Sequence, residues 1–309
     1  MEKHLFNGLI AAPFTPMDDM GNINLEPIGR YVDHLAGSGV SGAFVCGTTG
    51  ESPSMTTNER KIVLEEWIKC AGGRMKIICH AGGNCLPQSI ELAGHAALKG
   101  ADAVGAFAPF FFKPPNADEL MGFLAPIAGA APGLPFYYYH IPSLTGVNIP
   151  VIDVLERAKK WIPNFRGVKY THFDLYDMQQ CIAYNDGEFE ILHGYDEILL
   201  AGLSFGLKAA VGSTYNYMPW LYLQLWEAYD KCDMIHARKL QQDSIKTVQV
   251  LNRFGGGVRT GKAIMELIGI PCGPCRLPIR QFSHDDKAEL KIRLDRLGLF
   301  NLNNESDLK

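Results

Sequence analysis

A lysine lies inside an otherwise apolar segment, in the run Gly167-Val168-Lys169-Tyr170-Thr171. Burial disfavours the ammonium form of a lysine and lowers its pKa. The neutral amine is a nucleophile that forms a Schiff base with a carbonyl compound. The alternative is a lysine at a strand end that reaches water or pairs with a carboxylate. Lys169 is the first candidate nucleophile, and Lys208 and Lys262 are weaker ones.

Three consecutive tyrosines precede His140, and the last of them, Tyr139, is a candidate for proton transfer. A phenol has a pKa of about 10, so near neutral pH it needs help from a substrate carboxylate or iminium to act as a base. Because side chains alternate between the two faces of a strand, Tyr137 and Tyr139 are predicted to share one face and Tyr138 to take the other. The alternative is that all three are packing residues.

The turn Gly47-Thr48-Thr49-Gly50-Glu51 offers two hydroxyl groups and several backbone N–H groups. Successive backbone N–H groups in a tight turn form a nest that suits a small carboxylate. The alternative is a turn that only connects a strand to the next helix. The carboxylate of Glu51 is available to brace the turn instead of contacting a ligand.

Two other motifs match known sites only in part. Residues 256–263 match the GxxxxGK start of a phosphate-binding loop, but Ala263 replaces the required hydroxyl and a helix-like segment precedes the motif. We therefore expect an interhelical loop. Cys272 and Cys275 have the spacing of a metal or redox pair, but a second pair is missing, so we expect neither kind of site.

Eight short apolar or aromatic segments read as strands. Most are apolar on both faces, as in a covered parallel sheet. Helical patterns fill the gaps, so the alternation predicts an α/β fold, a (β/α)8 TIM barrel, over residues 1–227. The alternative is a doubly wound sheet, but the first segment lacks the glycine-rich dinucleotide turn. The predicted strands are Gly8–Pro16, Gly42–Gly50, Met75–Gly82, Ala101–Phe110, Pro135–Ile141, Phe165–Thr171, Phe189–Gly194 and Ala209–Tyr215.

A helical extension is predicted to follow the barrel, over residues 228–309. Cys232–Arg253, Thr260–Ile268 and His284–Leu297 have helical patterns, and the polar tail Asn301–Lys309 is expected to fray. The active site of a TIM barrel lies at the C-terminal ends of its strands. That rule brings Lys169, the tyrosines and the threonine turn to one end of the molecule.

The composition excludes several classes of function. The net charge of −4 and the pI of about 6.1 argue against a nucleic-acid-binding protein. Because no stretch reaches about 18 uninterrupted apolar residues, we expect no membrane-spanning helix, and the N-terminus lacks the flanks of a signal peptide. The 8 scattered cysteines are predicted to be buried, reduced thiols of a cytoplasmic enzyme.

Together these segments resemble the N-acetylneuraminate lyase branch of the dihydrodipicolinate synthase family of class I aldolases. The family pattern is a GTTGE or GSTGE turn, then YxIP and GVK. These motifs occur here in order, as Gly47–Glu51, Tyr139–Pro142 and Gly167–Lys169. The resemblance covers nearly the whole chain.

The resemblance implies a role for each candidate residue. Lys169 would form the Schiff base, Tyr139 would transfer protons, and Thr48 and Thr49 would hold the carboxylate of the pyruvyl group. Five further residues would line the sugar side of the pocket: Thr171, Gly194, Asp196, Glu197 and Ser213. The family also implies a homotetramer, a small-molecule substrate, and no cofactor or metal.

Two details favour the sialic acid branch. Dihydrodipicolinate synthases typically carry an arginine shortly after the strand-five motif, where this chain has Leu144, and the run Gly194–Glu197 is typical of the lyases. The expected reaction is reversible cleavage of N-acetylneuraminate to N-acetylmannosamine and pyruvate. The alternatives are dihydrodipicolinate synthase, another pyruvate-dependent aldolase acting on a 2-keto-3-deoxy sugar acid, and a non-catalytic barrel that binds a sugar acid.

One departure concerns the residues after the fourth predicted strand. Many family members have a tyrosine two residues after the proline, which relays protons from a neighbouring subunit. Here Pro109 is followed by Phe110, Phe111 and Phe112. Thr49, water or the substrate itself is expected to carry the proton instead.

Overall fold

The computed structural model describes residues 4–298, and within them eight parallel strands close into a barrel. The first strand pairs with the eighth as well as with the second, so the sheet has no free edge. This closure confirms the predicted TIM barrel. The strands are β1 (Gly8–Ala11), β2 (Gly42–Val45), β3 (Lys76–His80), β4 (Ala103–Phe107), β5 (Phe136–His140), β6 (Phe165–Tyr170), β7 (Glu190–His193) and β8 (Ala209–Gly212).

Nine α-helices of the described chain follow the strands, and three more form the C-terminal extension. The predicted boundary after residue 227 lies inside the ninth helix, Pro219–Asp230, so the division into two units stays a prediction. The tail Asn301–Lys309, which was expected to fray, lies outside the described residues. The helices are α1 (Ile28–Gly37), α2 (Thr57–Ala71), α3 (Leu86–Lys99), α4 (Ala117–Gly129), α5 (Pro142–Thr145), α6 (Val151–Trp161), α7 (Leu175–Ala183), α8 (Leu199–Ser204), α9 (Pro219–Asp230), α10 (Met234–Arg253), α11 (Gly257–Leu267) and α12 (His284–Leu297).

Local sequence signals account for the ends of several helices. At the start of α2, Thr56 Oγ1 accepts a hydrogen bond from Glu59 N at 3.2 Å, and the Glu59 carboxylate accepts one from Thr56 N at 2.8 Å. This reciprocal pair is a capping box. α2 and α3 end at Gly72 and Gly100, whose φ angles of 53° and 85° favour glycine.

The inside and the outside of the barrel have separate apolar clusters. Tyr137 and Tyr139 belong to the inner cluster with Phe44, whereas Tyr138 packs in the layer between strands and helices. The predicted alternation of the three tyrosines is therefore confirmed. The inner cluster fills the middle of the barrel, and the sites of TIM barrels lie where the strands give way to loops at their C-terminal ends.

The strands are shorter at their C-terminal ends than the sequence predicts. β2 ends at Val45 rather than Gly50, because Cys46 adopts a left-handed conformation with φ of 57° and starts the turn. β8 ends at Gly212 rather than at Tyr215, because a 3₁₀ turn begins at Thr214. Residues 46–50 and 213–215 belong instead to the loops that surround the site.

Two other predictions are corrected. The interhelical loop expected over residues 256–263 is mostly helix, because α11 begins at Gly257 rather than at Thr260. All 8 cysteines are free, but Cys85 and Cys232 are exposed because they lie in connections rather than in strands.

Within residues 4–298, no helix has the length and apolarity needed to cross a bilayer.

Candidate active site

A cavity of about 200 Å³ lies at the C-terminal ends of the strands. It is lined by all nine residues to which the resemblance assigns a role, whereas Glu51, Lys208 and Lys262 lie outside the lining. The structure thus brings together residues from six separate loops and strands at the end of the barrel where TIM-barrel sites occur. The predicted residues that line it are Thr48, Thr49, Tyr139, Lys169, Thr171, Gly194, Asp196, Glu197 and Ser213.

Lys169 lies on β6 and is only 4% exposed. Its Nζ atom is 4.0 Å from the centre of the Tyr139 ring and 4.4 Å from that of Phe44. Burial lowers the pKa of Lys169 to about 7, although the nearby charge of Asp196 opposes the change. A substantial fraction of this side chain is therefore a neutral, nucleophilic amine near neutral pH.

Tyr139 lies beside Lys169, because the register of β5 on β6 pairs these two residues. Its phenol shares a hydrogen bond of 3.3 Å with Thr48 Oγ1. Burial raises the pKa of Tyr139 to about 12, although the hydroxyl groups of Thr48 and Thr171 oppose the change. Tyr139 is thus a neutral phenol at neutral pH, able to donate one proton and accept another in a relay.

The threonine turn joins β2 to α2 across the mouth of the barrel. Thr49 is buried and Thr48 is partly exposed, and both contribute to the cavity. Glu51 has a different position: its carboxylate forms an ion pair of 2.7 Å with Lys262 and lies outside the cavity lining. Glu51 therefore braces the turn, and Lys262 is occupied by this pair rather than available as a nucleophile.

Two carboxyl groups follow β7 on the opposite side of the cavity. Asp196 Oδ2 accepts hydrogen bonds from Thr214 N at 2.9 Å and from Thr214 Oγ1 at 2.6 Å. Burial raises the pKa of Asp196. Burial raises the pKa of Glu197 to about 7, and the nearby negative charge of Asp196 adds to this increase. Glu197 can therefore donate or accept a hydrogen bond near neutral pH, which suits a hydroxyl-rich ligand.

Gly194 is required by the packing of the site. A Cβ atom at this position would lie 1.9 Å from Thr171 Oγ1 and 2.7 Å from the carbonyl oxygen of Tyr170. Any side chain would push β6 and β7 apart at the level of the cavity. The close approach explains why a glycine stands among the polar residues of this loop.

Several lining residues were not predicted from the sequence. Tyr195 lies between two predicted residues and stacks on Phe173, with ring centres 4.1 Å apart, so its position in the loop was an available signal. His80, at the end of β3, does not line the cavity but lies next to Tyr139, with the two ring centres 5.8 Å apart. Residues of α10 and α11 carry no local signal, because only the tertiary fold brings them to the barrel mouth. These are Val248, Leu251, Asn252 and Gly257.

The aromatic run after β4 lies outside the cavity lining. Phe111 and Phe112 are 74% and 86% exposed, and their rings contact each other with centres 5.0 Å apart. Asn84 accepts hydrogen bonds from the N–H groups of Phe110 and Phe111 at 2.9 and 3.1 Å. Among the described residues, the Tyr139 phenol shares its hydrogen bond of 3.3 Å with the hydroxyl group of Thr48.

Metal binding has no support in the described residues. Among residues 4–298, no three His, Cys, Asp or Glu side chains are grouped in a way that suits a metal ion. Cys272 and Cys275 are buried, and burial raises the pKa of each thiol to about 12. They are therefore protonated, unreactive thiols at neutral pH.

Comparison with known proteins identifies relatives over almost the whole chain. Residues 5–297 match the family described as the dihydrodipicolinate synthetase family. N-acetylneuraminate lyase of Rattus norvegicus is 43% identical over 96% of this chain and 94% of its own length. The lyase of Homo sapiens is 44% identical over 97% of this chain and 96% of its own. The structure of Proteus mirabilis N-acetylneuraminate lyase superposes with a TM-score of 0.93 at 37% identity, covering 96% of this chain and 99% of that chain.

Proposed function

The chain belongs to the dihydrodipicolinate synthetase family, and from this premise we propose that it cleaves N-acetylneuraminate reversibly into N-acetylmannosamine and pyruvate. The observation that carries the proposal is a buried lysine that lies against a phenol and shares a cavity with the Thr48-Thr49 turn at the mouth of the barrel. Relatives that share 43–44% of their residues over almost the whole chain and carry the lyase name support the choice of substrate.

The first step assigned to the site is imine formation. The neutral amine of Lys169 attacks the keto carbon of the open-chain sugar acid, and loss of water leaves a protonated imine. Thr48 and Thr49 hold the adjacent carboxylate by their hydroxyl groups and the N–H groups of the turn. The imine nitrogen then serves as an electron sink for the bond to be broken.

The second step is carbon–carbon cleavage. In the first step Tyr139 gives its proton to the hydroxyl group that leaves as water, and the resulting phenolate then accepts, through the bound carboxylate, the proton of the hydroxyl group on the carbon that leaves as an aldehyde. The electrons of the broken bond form an enamine on Lys169. Protonation of the enamine and hydrolysis of the resulting imine release pyruvate and restore the amine. A relay through the carboxylate is consistent with Tyr139 being a neutral phenol, since its pKa is raised to about 12.

The sugar side of the cavity supports a polyhydroxylated substrate. Thr171, Asp196, Glu197 and Ser213 surround it, with the backbone of Gly194 between them. Hydroxyl-rich ligands need such paired donors and acceptors. At the position where the synthases typically bind their second carboxylate, Leu144 is 62% exposed and offers no charge.

The decisive experiment is reductive trapping. Incubation of the protein with pyruvate and borohydride should add one reduced pyruvyl group, and peptide mass spectrometry should map it to Lys169. The variant Lys169→Ala should give no adduct and no cleavage while it keeps the wild-type circular dichroism spectrum. An adduct on Lys208 or Lys262, or none at all, would refute this mechanism.

Two alternatives differ from the proposal in measurable ways. A related aldolase acting on a 2-keto-3-deoxy sugar acid would show a higher kcat/KM for that acid than for N-acetylneuraminate in a substrate panel. A non-catalytic barrel would bind the sugar acid without borohydride trapping.

We further propose a homotetramer in the cytoplasm, in line with the resemblance to the family. The exposed rings of Phe111 and Phe112 supply an apolar surface for contact between subunits, and the 8 free cysteines suit a reducing compartment. Sedimentation at micromolar concentration should give four times the mass of 34.1 kDa.

A further inference from the structure

The threonine turn is tightly fixed on the side of β1. Thr15 Oγ1 donates a hydrogen bond of 2.7 Å to the carbonyl oxygen of Gly50. A Cβ atom at position 50 would approach Cys46 Cα and Thr15 Oγ1 to 3.2 Å, so this backbone has almost no free space. Glu51 follows in the left-handed region, with φ of 57°, which an acidic residue rarely adopts. The tertiary structure must therefore hold Glu51 in place.

The C-terminal extension provides that restraint. Glu51 Oε1 lies 2.7 Å from Lys262 Nζ on α11, and Glu51 Oε2 accepts a hydrogen bond of 2.8 Å from the N–H group of Arg276. The side chains of Glu51 and Lys262 are 1% and 2% exposed, so water cannot replace either partner. Lys262 also donates a hydrogen bond of 2.8 Å to the carbonyl oxygen of Pro274.

The extension is itself held at a fixed distance from the barrel. Gly261 on α11 packs against Phe14, where an added Cβ atom would lie 2.2 Å from the ring. The guanidinium group of Arg276 forms an ion pair with Glu59 on α2 and donates a hydrogen bond of 2.8 Å to the carbonyl oxygen of Ser54. Glu51 is thus anchored to a segment that has its own contacts with the barrel, at Phe14 and Glu59.

We propose that the buried Glu51–Lys262 ion pair positions the threonine turn, and that α11 thereby sets the affinity of the site for the substrate carboxylate. Glu51 and Lys262 are positioning residues, because neither contacts the cavity that the substrate occupies. The inference rests on the proposed function, in which Thr48 and Thr49 bind the pyruvyl carboxylate.

The test compares the double variant Glu51→Gln/Lys262→Met with the wild-type enzyme. Lys262→Met alone leaves a buried carboxylate unpaired and lowers stability, whereas the double variant has no buried charge and keeps an acceptor for Arg276 N. In the double variant we expect two quantities to rise about tenfold or more. They are the pyruvate concentration that gives half-maximal borohydride trapping and the KM for pyruvate in the synthesis direction. We expect kcat to stay within about threefold of the wild-type value.

A matched control is Arg166→Met. Arg166 pairs with Glu190 at 2.6 Å near the other end of the barrel, far from the turn, so its loss should lower the melting temperature without changing the KM for pyruvate. A KM within about twofold of wild type in the double variant, or a fall in kcat at unchanged KM, would overturn the inference. Absence of trapping in the wild-type enzyme would instead refute the proposed function.

Discussion

Lys169 is nucleophilic only as the free amine, so its protonation determines how fast the pyruvate adduct forms. Burial lowers its pKa to about 7. Below pH 7 the initial trapping rate should therefore increase about tenfold with each unit by which the pH is raised. Above pH 7 the rate should become constant, because the neutral fraction of the amine approaches one. Initial rates measured from pH 5 to 9, with the adduct quantified by mass spectrometry, test this expectation.

The variant Asp196→Asn provides the control for that pH profile. The charge of Asp196 raises the pKa of Lys169 against the larger effect of burial. Removing it should move the midpoint of the trapping profile to lower pH. A midpoint near pH 10 in the wild-type enzyme, the value for a solvated lysine, would contradict the assigned environment.

Tyr139 is expected to act on the cleavage step rather than on binding. In Tyr139→Phe the ring remains next to Lys169 but the hydroxyl group that contacts Thr48 is lost. We predict that kcat for cleavage falls about 10²–10⁴-fold, the usual effect of losing a positioned acid–base group. The KM for the sugar acid should change by less than about threefold. Steady-state kinetics of both directions test this, and an unchanged kcat would exclude Tyr139 from the proton relay.

At the level of the elements, the sequence predicts types and order better than ends. All eight strands were found, because residues buried on both faces give continuous apolar runs. The end of β2 was misplaced because Cys46 and Glu51 adopt left-handed conformations that no local pattern indicates. Lys169 and Thr48 were predictable from the strand-end rule, whereas Asn252 and Gly257 reach the cavity only through the packing of α10 and α11.

The contact between β6 and β7 leads to a prediction about Gly167. A Cβ atom at this position would lie 1.9 Å from the carbonyl oxygen of Glu190, so the two strands could not keep their register. Gly167→Ala should lower the free energy of unfolding by about 3 kcal/mol or more, since backbone on both sides must move. Lys169, two residues further along β6, would be displaced as well, and trapping should fall.

Gly122→Ala is the matched control for that substitution. Gly122 lies inside α4, and an added Cβ atom would meet nothing within 4 Å. Alanine should stabilise the protein here by about 0.5–1 kcal/mol, because it restricts the unfolded chain and favours the helix. Urea unfolding followed by circular dichroism compares the two variants. Equal effects at both positions would contradict the close approach of β7 to Gly167.

For the whole molecule, the net charge of −4 opposes the approach of an anionic sugar acid. Recognition must therefore come from local groups at the barrel mouth. In the proposed function this recognition falls to the N–H groups and hydroxyls of the threonine turn, because a site shielded from water strengthens hydrogen bonds to a carboxylate. A negative net charge does not prevent an anion from binding in a donor-rich cavity, because salt screens the charges that lie more than about 8–10 Å away.

The C-terminal extension is predicted to be part of the functional unit rather than an appendage. α10 and α11 contribute Leu251 and Gly257 to the cavity, and Lys262 neutralises the buried Glu51. A chain that ends after Asp230 would leave that carboxylate without a partner inside the protein, which is strongly unfavourable. We expect this truncated chain to lack a cooperative thermal transition and to give no pyruvate adduct on Lys169. A truncated barrel that melts cooperatively and traps pyruvate at the wild-type concentration would show instead that residues 1–230 form an independent catalytic domain.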